Sequence, residues 1–97
     1  SEAKKSLGHK ESFYVALEKA LHNYLKSKLR IETSEFTKEK ISELLRSKEV
    51  SENSIVEFID ILSSCELARY TPTTNVTMQQ DYKKAAESIA VIDKQIN

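Results

Sequence analysis

The apolar positions of this chain fall into four stripes, each with the three-and-four spacing of one helical face, separated by short polar stretches. The third stripe is the clearest. Over residues 51–72, SENSIVEFIDILSSCELARYTP, Ile55, Phe58, Ile59 and Leu62 recur along one side, Ser51 stands where an N-cap belongs, and Glu52 places an anion in the first turn. Arg69 suits the exposed carbonyls of a helix end, and Pro72 biases Thr71 away from the helical region, so the pattern predicts a helix over residues 51–69.

The first stripe runs through Phe13, Ala16, Leu17, Ala20, Leu21, Tyr24, Leu25 and Leu29 and predicts a helix over residues 11–29, with Ser12 a candidate cap. Ile41, Leu44 and Leu45 predict a shorter helix over residues 37–47. Phe36 before the candidate cap Thr37, with Ile41 four residues beyond it, has the form of a hydrophobic staple; Val50, Ser51 and Ile55 repeat that form, implying a tight corner between the second and third helices. Thr77 with Gln80 three residues on resembles a capping box and predicts a fourth helix over residues 77–95. Its apolar side is Met78, Tyr82, Ala85, Ala86, Ile89, Ile92 and Ile96, and small Ala85, Ala86 and Ala90 would admit a close neighbour. Residues 1–10 hold the only glycine and no stripe, and are expected to be a linker leading into one domain over residues 11–97.

Composition narrows this to a fold class. One Gly, one Pro, no Trp and 31% charged residues leave little turn chemistry for a sheet, and no heptad runs the length of the chain. The expectation is all-α: a compact four-helix domain, an irregular or orthogonal bundle, with Phe13, Leu17, Leu21, Leu44, Phe58, Ile59, Leu62, Tyr82, Ile89 and Ile92 in one core. No run approaches the roughly 18 apolar residues of a spanning helix, and no signal pattern opens the chain. It starts at Ser1 and not Met, which fits a segment of a longer protein.

Fifteen basic and fifteen acidic side chains cancel, which argues against a nucleic-acid partner. The cancellation hides a gradient: residues 1–30 are net +4 and residues 51–70 net −3, so the first and third helices are expected to be electrostatic neighbours. A single cysteine permits no internal disulfide, and two histidines, His9 and His22, are too few for a metal site of their own; no cofactor is expected. Cys65 continues the third stripe and reads as inert packing. Glu66 continues the stripe as well and is expected to be more buried than Glu57, paired with Arg69 three residues on, a tyrosine hydroxyl or backbone amides. An enzyme or regulatory site built from Glu66, Arg69 and Cys65 is one alternative. A helix-turn-helix is another, although the third helix opens with Glu52 and Glu57, the wrong sign for approaching phosphates.

Three patches together carry a family likeness: Phe13 and Tyr14 with Ala16, Leu17, Ala20 and Leu21; the run Cys65, Glu66, Leu67, Ala68, Arg69, Tyr70, Thr71, Pro72; and Tyr82 with Ala85 and Ile89. The chain resembles, over about residues 11–96, the C-terminal region of BatD proteins, aerotolerance-associated membrane proteins of the Bat operon. The most specific part is the run with Cys65, Glu66, Arg69, Tyr70 and Pro72. The resemblance implies a helical domain on the cytoplasmic side of the bacterial inner membrane, after a single spanning helix. It implies as partners the von Willebrand A-domain proteins, tetratricopeptide-repeat proteins and MoxR-type ATPase of such operons, in a role in oxygen tolerance or envelope stress. Lys4, Lys5 and Lys10 would then flank the membrane, as cytoplasmic flanks favour positive charge. The function expected is a non-catalytic protein-interaction domain, its partner face running from Glu57 and Asp60 through Tyr70 to Asn75.

Overall fold

Each of the four stripes becomes a helix. The computed structural model describes residues 10–30, 37–68, 70 and 73–96. Within them lie α1 (Lys10–Leu29), α2 (Lys38–Ser47), α3 (Glu52–Leu67) and α4 (Asn75–Ile96), with no strand, an all-α four-helix domain. The other three helices all pack on α3, and α1 and α4 also pack on each other. The side chains that close the core are Phe13, Leu17, Leu21 and Leu25 of α1, Ile41 and Leu45 of α2, Ile55, Phe58 and Leu62 of α3, and Met78, Ala85 and Ile92 of α4. Ile59, Tyr82 and Ile89 of the expected core are partly buried against it.

Leu44 is not among the buried residues: Ile41 and Leu45, four apart, face inward, and Leu44, 100° round the helix from Leu45, is only half-buried. Of the three alanines on α4 only Ala85 is buried, while Ala86 and Ala90 are exposed and Ser88 takes the inward place. Ser88 Oγ has no hydrogen-bond partner among the described residues.

Long-range side-chain bonds fix the helix directions. Tyr14 donates to Asp81 at 2.6 Å and Tyr24 to Asp93 at 3.2 Å. Ten residues along α1 thus match twelve along α4, about 15 and 18 Å at 1.5 Å per residue, so the two helices run parallel. Gln95 near the end of α4 meets Ser51 and Ser54 at the start of α3, which makes those two antiparallel. Two ion pairs tie α2 antiparallel along α3: Lys38 to Glu66 at 2.9 Å, and Arg46, which forks onto both carboxylate oxygens of Glu52.

The corner between α2 and α3 is closed by backbone chemistry. Glu49 adopts φ 64° just past α2, its N–H donates to Arg46 O at 3.0 Å, and Val50 N–H donates to Leu45 O at 3.1 Å. This is a Schellman motif, with Val50 and Leu45 both buried as its apolar contact. Ser51 then caps α3 by accepting from Ser54 N–H, as Thr37 caps α2 by accepting from Lys40 N–H, both as the sequence predicts. Val50 and Ile55, the expected staple pair, are both in the core, whereas Phe36 lies outside the described residues.

Two starts differ from expectation. α1 begins at Lys10, so Ser12 sits inside its first turn and is not the cap. α4 begins at Asn75 because Thr74, not Thr77, is capped on: Thr77 N–H donates to Thr74 Oγ1 at 3.1 Å, and Met78 N–H to Thr74 O at 3.0 Å.

Candidate interaction surface

The seven-residue step from Phe58 to Cys65 keeps the thiol on the buried side of α3, and Ala68 continues that side to the helix end. One residue further round than Cys65, Glu66 leaves the core. Its side chain is 51% exposed and paired with Lys38, and Glu57 is exposed as well. The expected burial of Glu66 is therefore overturned, and its partner comes from α2. Arg69, Thr71 and Pro72 lie outside the described residues.

Cys65 is buried, and burial pushes its thiol up to about 12, with Glu18, Asp81 and Glu66 adding repulsion against a thiolate. Such a thiol is held protonated at neutral pH, the opposite of an activated nucleophile. Among the described residues, no group of three or more His, Cys, Asp or Glu side chains is placed to hold a metal ion. No helix described is long and apolar enough to cross a membrane.

Two surface grooves flank α3 at its charged residues. One, about 390 Å³, lies against α4 and is lined by Glu57, Asp60, Ile61 and Ser64 of α3 with Asp81, Lys84 and Glu87 of α4. The other, about 180 Å³, lies against α1 and is lined by Glu11, Tyr14, Val15 and Glu18 with Cys65, Glu66, Ala68 and Tyr70. The expected partner face is thus divided. Glu57 and Asp60 look onto the α4 groove, Tyr70 borders the α1 groove, and Asn75 is the exposed first residue of α4 and not a loop residue.

The sign of both grooves follows from how α3 is neutralised. It carries Glu52, Glu57, Asp60 and Glu66 and no basic residue. Cations of α2 pair with the outer two, holding the Glu52 carboxyl below its ordinary range through the Arg46 hydrogen bonds. In these ion pairs among the described residues α3 is matched by α2 and not by α1, whose Lys28 pairs with Asp93 of α4 at 2.9 Å. Glu57 and Asp60 stay without an ion pair among the described residues. Apolar side chains flank them: Val56 is 53% exposed, Leu67 58%, and beyond the end of α3 Tyr70 is 82% exposed.

The sequence brought in Tyr14 only through the family likeness, and it did not point to Asp81 or Gln95. Tyr14 is buried with its hydroxyl on Asp81, and burial first, then that bond, raises its pKa; Tyr24, bonded to Asp93, is raised to about 12 by burial and then by the carboxylate's charge. Comparison with protein families, curated proteins and solved structures finds no match to this chain.

Proposed function

We propose that this chain is a non-catalytic protein-interaction domain, the cytoplasmic C-terminal domain of a BatD-like membrane protein. In this proposal it serves aerotolerance or envelope stress by engaging a von Willebrand A-domain, tetratricopeptide-repeat or MoxR-type protein of the same operon. The observation that carries an interaction role is the side of α3 left open by its neighbours, where Glu57 and Asp60, without an ion pair among the described residues, share the helix surface with exposed Val56 and Leu67 and the chain continues to exposed Tyr70. Apolar side chains kept in water among carboxylates on a rigid helix are what a partner surface with a polar rim requires. The family assignment rests on the run through Cys65, Glu66, Tyr70 and Pro72.

Attachment near a membrane would give such a surface a high local concentration of partner, so modest affinity suffices. Pull-down with purified operon proteins as prey, using wild type and an Asp60→Lys, Tyr70→Ala double variant, tests the proposal. Capture of one of them by wild type and its loss in the variant, with circular dichroism and melting temperature retained, is the expected result. Equal capture by both proteins removes the site from this face, and failure of every operon protein to bind refutes the assignment of partners.

A further inference from the structure

We infer that the outer face of α3, with the groove it shares with α4, docks a cationic amphipathic helix of another protein; this rests on the interaction role proposed above and specifies the class of partner. Val56, Asp60, Ser64 and Leu67 follow one another at helical spacing, forming one exposed strip along α3. The strip is apolar at both ends, and its ends are eleven residues apart, about 16 Å or three turns of a docked helix. Its middle is acidic: Asp60 lies on it, Glu57 lies beside it, and α4 supplies Asp81 and Glu87 across a groove of about 390 Å³ in which Lys84 is the single cation.

Asp81 already accepts the Tyr14 hydroxyl, but Glu57, Asp60 and Glu87 have no partner among the described residues. These carboxylates are spread along two helix walls, and they do not converge on one point as metal ligands would. A row of separated anions is matched by a row of separated cations, which Lys or Arg at three- and four-residue spacing on a helix provides. Their methylene stems can cover Ile61 and Val56 while the charged heads reach the carboxylates, and apolar residues three turns apart on the partner meet Val56 and Leu67.

The test titrates the 97-residue chain with a synthetic helical peptide of about 18 residues, Leu on one face flanked by Lys, and with its Glu-for-Lys counterpart. Calorimetry and amide chemical shifts are recorded at low and at physiological salt. The Lys peptide is expected to shift amides over residues 56–67 and 81–87 and to lose about tenfold in affinity between the two salts. Reversal of the face by Glu57→Lys with Asp60→Lys should weaken it about tenfold or more, whereas the same charge change on α2, Glu39→Lys with Glu43→Lys, should stay within about twofold. Val56→Ala with Leu67→Ala should weaken binding without changing its salt dependence. Equal losses for the two reversals, equal binding of the Glu peptide, or shifts confined to other helices would overturn the inference. If an operon protein is captured through this face while the Lys peptide fails to bind, the interaction role stands and the cationic helix is wrong; if neither binds, both fall.

Discussion

Replacing Tyr14 by Phe removes one oxygen from the seam between α1 and α4 and leaves the ring in place. That ring is buried, and it meets Phe13 edge-on at 4.8 Å between centroids with an interplanar angle of 82°, a contact that Phe preserves. The hydroxyl donates to Asp81 Oδ2 at 2.6 Å, within the range of an O–H to carboxylate bond. Hydrogen bonds to ionised groups contribute about 1.5–3 kcal/mol, and water reaching half-buried Asp81 offsets part of that, so about 1–2 kcal/mol of coupling is expected. A double-mutant cycle of Tyr14→Phe and Asp81→Ala isolates it, because the helix-propensity gain of Ala cancels between the two arms. Urea unfolding at pH 7, followed by circular dichroism, supplies the four stabilities; for a domain of this size Tyr14→Phe alone should lower the melting temperature by roughly 4–10 °C. Folding raises the phenol pKa above its ordinary 10.0, so the bond's contribution is complete below pH 10 and fades as pH rises past it. The difference between wild type and Tyr14→Phe should shrink in that alkaline window. A coupling below about 0.3 kcal/mol at pH 7 would show that the bond does not hold the seam, since neighbours that interact couple by more than that.

Phe58→Ala, at a fully buried position where α3 meets the rest of the core, should cost about 3–5 kcal/mol in urea unfolding; a loss under about 1 would remove Phe58 from the centre of the core. Glu49→Gly relieves a non-glycine residue at φ 64° and should stabilise by up to about 1 kcal/mol, with Glu49→Ala as the control that gains nothing. Ser88→Ala removes a buried hydroxyl with no partner among the described residues and should be neutral or stabilising by about 0.5–1 kcal/mol; a clear loss would reveal a bond for that hydroxyl. With its thiol pushed up to about 12 by burial, Cys65 should react with an aromatic disulfide reagent at pH 8 only as fast as the domain opens, and full-rate reaction of the native protein would contradict this.

The helices were legible because their signals are local. The stripes of α1 and α3 and the caps Thr37 and Ser51 depend on residues within one or two turns, and the structure keeps them. Where local signals compete, the sequence misleads: Thr74 and Thr77 both offer a hydroxyl three residues before a helical N–H, and nothing in the spacing says which is used. Leu44 and Leu45 are equally apolar, and Glu66 next to Cys65 looked inward until the helix phase was fixed by Phe58, Leu62 and Cys65 together. The candidate site was less legible than the fold. Glu57 and Asp60 were singled out, but their companions Asp81 and Glu87 come from another helix. The bond between Tyr14 and Asp81 joins residues 67 positions apart, a pairing with no trace in local spacing.

The end of α4 closes the start of α3. Ser51 N–H donates to Gln95 Oε1 at 2.7 Å, Gln95 Nε2 donates to Ser54 Oγ at 3.0 Å, and Ser51 Oγ donates to Ser54 Oγ at 3.0 Å. In a capping box the glutamine that satisfies the cap's own N–H sits three residues along the same helix, where this chain has Ser54. Here it arrives from 44 residues downstream. During folding α3 can form its first turn on Ser51 alone, yet its leading N–H waits for α4 to dock, and that docking closes a long loop whose entropy must be met first. The Gln95 bond is thus a non-local contact that exists only where α4 is docked. A contact of that kind is expected to slow unfolding more than it speeds folding, and to couple fraying at the start of α3 to fraying at the end of α4.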